Sequence, residues 1–241
     1  MEIVLVHGAW HEGSSWSEVA AHLEQAGHSA HMPTIAGHGP GADRDVDHAA
    51  CTRSIAEFIV DGDLRDIVLV GHSFGGTIIS KVAEQIPERI RRLVFQNGFV
   101  VRDGKSLSDE TPPHFQRLFR DLAGQAADHT VMLPYPIWRE AFINDGDEPL
   151  ARSTYEYLTP EPAQPFFDKL DMKKFYSLDI PKSYINFTED QALPQGPETG
   201  WHPRMSNRLG LFRLIQKPGS HEVVFTNPAL LAEAIIEAGR D

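Results

Sequence analysis

The stretch DIVLVGHSFGGTIISKVAEQI, Asp66–Ile86, decides how the rest of the chain is read. It opens on a four-residue apolar run, Ile67–Val70, and turns through Gly71–Gly76. It continues with apolar residues at Ile78, Ile79, Val82 and Ile86. A short apolar run bounded by glycine reads as a strand buried on both faces. Apolar residues three and four apart read as one face of a helix. Ser73 therefore stands at the turn from a buried strand into a helix. A G-x-S-x-G pattern arises by chance in about one chain of this size in ten from ordinary Gly and Ser frequencies, so the flanking strand and helix give it its weight. Gly71 and Gly75 have no Cβ and permit a sharp turn that lifts the serine above the sheet edge. The helix N-terminus beneath adds a positive dipole end and the free N–H of Phe74. A serine with only a structural place in a Gly-rich turn is the alternative.

Working outward, Ile3–Val6, Arg92–Phe95, Tyr184–Phe187 and Leu211–Ile215 repeat the short apolar signature, with His28–Pro33 a weaker strand. Helical patterns lie between them at Trp16–Gly27, His48–Ile59 and Asn227–Gly239; Asn227 caps the last, with Pro228 at its first position. This alternation predicts an α/β fold: a mostly parallel sheet flanked by helices, with right-handed crossovers. From about Val100 to Ile180 the rhythm breaks. No convincing buried strand occurs there, and aromatics and prolines crowd the stretch, among them Phe115, Phe119, Trp138, Phe142 and Phe166. Some eighty residues inserted between two strands predict a helical cap (100–180) on a core made of 1–99 and 181–241, with an apolar ceiling over a pocket.

The composition of the 241 residues, 41% apolar and 23% charged, is that of a globular protein with one large core. Lys+Arg of 22 against Asp+Glu of 34 gives −12, which argues against a nucleic-acid partner. The single cysteine, Cys51, forms no internal disulfide and fits a reducing compartment. The apolar run at Ile3–Val6 is too short for a signal peptide or a membrane span. The expectation is a cytoplasmic protein with a small-molecule substrate, no membrane partner, and a monomeric or homodimeric state.

A serine hydroxyl needs a base. Of twelve histidines, His72 adjoins Ser73 but would point away from it on a tight turn, which favours packing. His221 follows the last strand and precedes the final helix, at the carboxyl end of a strand where sites in open α/β sheets form. The acid should fall between serine and histidine. Asp179, Glu189 and Asp190 qualify; Asp190, three residues past Phe187, is best placed to turn toward His221, with Glu189 the fallback. After the earlier strand only Asn97 is available, and it holds no negative charge. HGAW, His7–Trp10, follows the first strand as an oxyanion loop should; Gly8 lets the backbone approach a ligand, and Ala9 N–H would join Phe74 N–H as a donor pair. Gly8, Trp10, His11, Trp138 and Phe142 are candidate substrate-binding residues. His7 and His11 are four apart in a loop without a third ligand at metal spacing, so no metal is expected. Gly37–Asp43 lacks the Lys-Ser/Thr of a phosphate loop and reads as a flexible connection.

VLVHGAWHEGSSW (Val4–Trp16), VLVGHSFGG (Val68–Gly76), FTEDQALP (Phe187–Pro194) and PGSHEVVFTNPALL (Pro218–Leu231) together resemble α/β-hydrolases of the group that contains plant methylesterases and hydroxynitrile lyases. That resemblance implies Ser73 as nucleophile, His221 as base, Asp190 as its orienting acid, the amides of Ala9 and Phe74 as oxyanion hole, and no cofactor. Lyases of the group carry threonine where this chain has Gly8 and lysine where it has Glu222. A carboxylate would oppose a departing cyanide, which argues for hydrolysis. The cofactor-free dioxygenase branch keeps its acid after the earlier strand, where Asn97 stands. Gly37–His48, Leu133–Asp147 and Trp201–Leu214 are similar to a bacterial branch that hydrolyses benzimidazole methyl carbamates. A serine hydrolase of small aromatic esters or carbamates is therefore expected, with a lyase or a non-catalytic ligand receptor on the same fold as alternatives.

Overall fold

The computed structural model describes residues 1–241. Six strands, β1 (Glu2–Val6), β2 (Ser29–His31), β3 (Ile67–His72), β4 (Ile90–Gln96), β5 (Lys182–Phe187) and β6 (Arg213–Lys217), form one wholly parallel sheet in the order β2-β1-β3-β4-β5-β6. Side-chain alternation divides the core. Ile3, Leu5, Val68, Val70, Val94 and Ile185 face helices α1 (Ser17–Gln25) and α6 (Pro228–Gly239). Val4, Val6, Ile67, Leu69, Leu93 and Phe95 face α2 (His48–Asp61) and α3 (Gly75–Gln85). The Asn227 side chain caps α6 by accepting from Leu230 N–H at 3.1 Å.

The expected strands are all present; β1, β3, β4 and β5 run one to three residues longer than their apolar runs, and β2 is shorter than its expected span. The last one differs more. It begins at Arg213, not Leu211, and Leu211 is 96% exposed. As an edge strand β6 buries only Ile215 fully, so uninterrupted apolarity is the wrong guide there. The insertion between β4 and β5 carries α4 (Pro113–Gln125), α5 (Glu148–Glu156) and several single turns. It also contains what its sequence pattern does not reveal: an antiparallel ribbon pairing Thr130–Val131 with Glu161–Pro162, all four residues buried. Two residues per strand are too few to show a period. The insertion packs into the same apolar cluster as α2 and α3. Its buried Glu110 accepts from Arg102 and from Arg204 and Arg208 beyond β5, each at 3.0 Å.

After β1 the chain moves outward to β2, then returns to lay β3 on the other side of β1. The sheet direction therefore reverses between β1 and β3, and a crevice opens at their carboxyl ends. The loop after β1 and the turn after β3 meet there at backbone contact. A Cβ on Gly75 would lie 2.7 Å from the carbonyl oxygens of Val6 and His7, and one on Gly71 2.6 Å from Gly75 O.

Gly75→Ala is accordingly expected to destabilise the fold by about 1–3 kcal/mol through overpacking, lowering Tm by about 2–4 °C per kcal/mol. Gly124→Ala, in α4 with nothing within 4 Å of the added methyl, should stabilise by about 0.5–1 kcal/mol. Thermal and urea melts of the two variants check the contrast.

Candidate active site

Ser73 takes a left-handed backbone, φ +51°. That costs a non-glycine residue about 1–2 kcal/mol, and its neighbours hold it in place. Its N–H donates to Gln96 O at 3.3 Å, and its carbonyl accepts from Gly76 and Phe99 N–H, both at 3.0 Å. Phe74 O accepts from Thr77 Oγ1 at 2.8 Å. The amides of Phe74 and Ala9 are used in no hydrogen bond within the protein, and both residues line the same cavity as Ser73.

His221 reaches that cavity from the loop after β6. Its Nδ1–H donates to Asp190 Oδ2 at 2.6 Å, with the histidine 1% and the aspartate 0% exposed. Asp190 comes from the turn after β5. Its Oδ1 accepts from Ala192 N–H at 2.8 Å, and its Oδ2 also accepts from Asn97 Nδ2 at 2.5 Å. Glu189 is exposed and Asp179 precedes β5, so neither reaches His221. Asn97, noticed in the sequence only as a position without charge, takes a left-handed φ of +36° and bridges β4 to β5. Its Oδ1 accepts Phe187 N–H at 2.7 Å while its amide supports the carboxylate.

The imidazole of His221 is enclosed. Trp201 stacks on it (centroids 5.2 Å apart, 18° between planes), Phe142 meets it edge-on at 5.1 Å, and His72 lies 4.6 Å away. Burial by itself disfavours its protonated form. The charge and hydrogen bond of Asp190, with the charge of Glu222, outweigh that and raise its pKa above the ordinary 6.5. The folded ring thus holds its proton to higher pH than the unfolded one. This linkage stabilises the fold fully below pH 6.5, and the stabilisation fades as pH rises through the folded-state value. Burial drives the pKa of His72 far down, so that ring is neutral.

A second buried pair stands behind His221. His11 Nε2 and Glu222 Oε2 approach to 3.3 Å, an ion-pair distance without hydrogen-bond alignment. Burial opposes charge on both, yet each stabilises the other's ionised form: the pKa of His11 is raised and that of Glu222 lowered.

The cavity is small and opens to solvent; its free space, the mouth included, is about 430 Å³. Ser73, Thr111 and His221 are its only polar side chains, and no Lys, Arg, Asp or Glu lines it. Of the five residues expected to bind substrate, Trp10 and Phe142 line it; Gly8, His11 and Trp138 do not. Gly8 is a spacer, since a Cβ there would meet His72 Nδ1 at 2.9 Å and Ser73 Cβ at 3.2 Å. His11 turns toward Glu222, and Trp138 is fully buried with its indole N–H on Ala151 O at 3.0 Å. In their stead Phe99, Leu107, Phe115, Phe119, Phe166 and Trp201 supply most of the remaining apolar wall, with Ala192 and Leu193 beside them. Trp201 lies beyond β5, outside the insertion, and reaches the cavity only because the chain folds back onto His221. His7 and His11 do not converge on a common point: His7 spends Nδ1 on Gly8 O and accepts Ile35 N–H at Nε2. The residues that could offer ligand atoms to a metal, all within 4.8 Å of one another, are His72, His221 and Glu222.

No helix is long and apolar enough to cross a membrane. Residues 3–234 match the model of the alpha/beta hydrolase family. An extracellular alpha/beta-hydrolase from a Paenibacillus species, said to share structural and functional homology with tobacco Salicylic Acid Binding Protein 2, superposes with a TM-score of 0.97. It is 43% identical, over all of both chains. Because that relative is described as extracellular, the cytoplasmic location expected above does not follow from family membership. A carbendazim hydrolyzing esterase from Nocardioides sp. is 35% identical over 170 residues, 64% of this chain and 70% of its own length. A pyrethroid hydrolase from Sphingobium wenxiniae is 26% identical, over 98% of this chain and 86% of its own. The parallel sheet, the turn at Ser73 and a family match over nearly the whole length agree: the chain belongs to the alpha/beta hydrolase family.

Proposed function

We propose that this protein is a serine esterase that cleaves small, uncharged aromatic esters or carbamates without a cofactor. Hydrolysis of carboxylic esters as the reaction class follows from the family and from relatives named esterases and hydrolases. The serine route rests on one observation above the others. His221, hydrogen-bonded through Nδ1 to buried Asp190, shares a single aromatic cavity with Ser73 and two unused amides.

In this reading Ser73 Oγ attacks the carbonyl carbon while His221 Nε2 takes its proton. The carbonyl π electrons move onto oxygen, where the amides of Ala9 and Phe74 stabilise them by about 3 kcal/mol per donor. Asp190 and the face of Trp201 stabilise the imidazolium that forms. Collapse of the intermediate expels the alcohol or amine with the proton from His221, and water then releases the acyl or carbamoyl group by the reverse sequence. A methyl carbamate would end as amine, methanol and carbon dioxide. Its carbonyl is less electrophilic than an ester's and asks more of the two amides.

The substrate class rests on the wall of the cavity. A charged group placed there would lose its hydration without gaining a partner, whereas flat aromatic groups find edge and face contacts. Residues 100–180 serve as a cap on a core of 1–99 and 181–241, contributing Leu107, Thr111, Phe115, Phe119, Phe142 and Phe166 to that wall. Against a lyase stand Gly8, where a larger side chain would press on His72 and Ser73, and Glu222, whose carboxylate lies beside His221. The benzimidazole methyl carbamate is the most specific candidate, supported by the Nocardioides relative's name and by the compact cavity.

Turnover of methyl benzoate, benzimidazole methyl carbamate, phenyl acetate and mandelonitrile, with EDTA present, tests this directly. Ser73→Ala should lose at least three orders of magnitude in kcat on every hydrolysed member. Wild-type turnover by that variant would remove the serine route. Methyl benzoate should exceed its 4-carboxylate analogue in kcat/KM by at least about tenfold.

The raised pKa of His221 places the ascending limb of kcat/KM above pH 6.5. Removing the charge of Glu222 in Glu222→Gln should move that limb to lower pH. In Asp190→Asn, burial is opposed by Glu222 alone, and the His221 titration followed by NMR should shift down further.

A further inference from the structure

The loop carrying Ala9 is held by the insertion. Trp10, the next residue, takes a left-handed φ of +64°, which a bulky side chain adopts only when its surroundings impose it. Its polar groups all go to residues of the insertion. Its N–H donates to Glu161 Oε2 at 2.7 Å, its indole N–H to Val131 O at 2.8 Å, and its carbonyl accepts from Thr159 N–H at 2.9 Å. Val131 and Glu161 are register partners in the two-residue ribbon, so the ribbon and the loop form one hydrogen-bonded unit.

Glu161 is the unusual member. It is fully buried, its Oε2 also accepts from His38 Nε2 at 2.9 Å, and its Oε1 has no partner. A buried carboxylate with one histidine and one peptide N–H for company is poor value as a stabilising device, since an apolar side chain would fill the space at less cost. Its effect falls on the peptide joining Ala9 to Trp10. Glu161 takes that peptide's N–H, while its carbonyl accepts from His11 Nδ1 at 2.5 Å. With both ends of that plane held, and with the carbonyl of the preceding peptide, Gly8 O, accepting from His7 Nδ1 at 2.8 Å, the Ala9 N–H is restrained from both sides.

We propose that Glu161 is a positioning residue for the oxyanion hole. By holding the left-handed Trp10 from the insertion, it aims Ala9 N–H at the developing negative charge. This rests on the reading above, in which that amide is a donor to the oxyanion. The insertion then has a second task besides walling the cavity: the hole is complete only while the ribbon is seated on the loop after β1.

The test uses full-length Glu161→Ala, Glu161→Gln and Glu161→Asp. It measures kcat and KM on phenyl acetate, and inhibition by phenyl trifluoromethyl ketone, which adds a serine oxygen and places an oxyanion in the hole. Inhibition by benzyl alcohol, which only fills the cavity, is the reference, and thermal melts report folding. A misaimed donor should cost Glu161→Ala about 10–100-fold in kcat. Its KM and benzyl alcohol affinity should stay within about threefold, and ketone affinity should fall in step with kcat. Glu161→Gln keeps an acceptor oxygen at the same reach and should recover kcat to within about threefold of wild type. Glu161→Asp keeps the charge but is one methylene short, and should resemble Glu161→Ala. If the alanine variant fails to fold, the Gln and Asp pair carries the same comparison. Wild-type kcat and ketone affinity in the Ala or Asp variants, a Gln variant as impaired as they are, or a loss of alcohol affinity equal to the loss of kcat would each overturn the proposal. Full activity of Ser73→Ala in the same assay would instead remove the serine reading, whatever the Glu161 variants do.

Discussion

At Ser73 the chain must leave a buried strand and enter a helix within two residues, in a backbone conformation that a serine avoids. The rest of the molecule is arranged around that turn. It is possible only because Gly71 and Gly75 let β3, α3 and the end of β1 come within contact of one another, and because Gly8 keeps the loop after β1 off the serine. The same crowding brings two otherwise unused amides to one cavity, since the reversal of sheet direction between β1 and β3 sets Ala9 opposite Phe74. Strain at the turn is offset by hydrogen bonds from β4 and from the residues just beyond it, Gln96 and Phe99. The position of the cavity thus follows from the strand order and this one backbone constraint together.

Around this turn the protein buries carboxylates, each with a different set of partners. Asp190 has Asn97, a peptide N–H and His221; Glu222 has His11; Glu161 has His38 and a peptide N–H; Glu110 has three arginines. Glu110 is a tie between distant segments, and its pKa is held down by the arginines against its burial. The other three lie within reach of the imidazole or the loop that the proposed chemistry uses. Their arrangement works in one direction: Asp190 and Glu222 favour a protonated His221, and Glu161 and His11 hold the Ala9–Trp10 peptide. In the proposed mechanism the site transiently carries a negative oxygen; its buried carboxylates are turned onto histidines, arginines and amides, and none of them lines the cavity.

What the sequence made legible follows the range over which each signal acts. Ser73, Asp190 and His221 sit at strand ends, and a strand followed by a turn is a local pattern; the structure brings those three loops to one place. The sheet itself was legible for the same reason, apart from the edge strand, where apolarity and strand position part company at Leu211. Asn97, Glu161 and Trp201 were not legible. Each owes its place to a partner at least 20 residues away in sequence, and nothing in its own neighbourhood distinguishes it from a loop asparagine, a surface glutamate or a stray aromatic. His11 and Trp138 were misread by the converse error. Nearness to the oxyanion loop and aromatic character in the insertion suggested the cavity, but their hydrogen-bonding nitrogens found buried partners elsewhere.

The insertion meets the loop after β1 in two ways: Phe119, Phe142 and Phe166 line the cavity and pack against the Trp10 ring, while other residues hold Trp10 by hydrogen bonds alone. Leu107, Thr111 and Phe115 contribute to the wall without bonding to Trp10, whereas Val131, Thr159 and Glu161 bond to Trp10 and do not line the cavity. Shape and polarity of the wall can therefore change at the first set while the geometry of the amides is kept by the second. On the proposed reading, exchanging side chains on α4 and the segment before it would shift preference between aromatic esters and carbamates. The demand that a carbamate makes on the oxyanion hole falls on a part of the insertion that such exchanges leave untouched. The ribbon of four residues, too short to announce itself in the sequence, is the part of the insertion that ties it to Trp10 by hydrogen bonds to Glu161 and Val131.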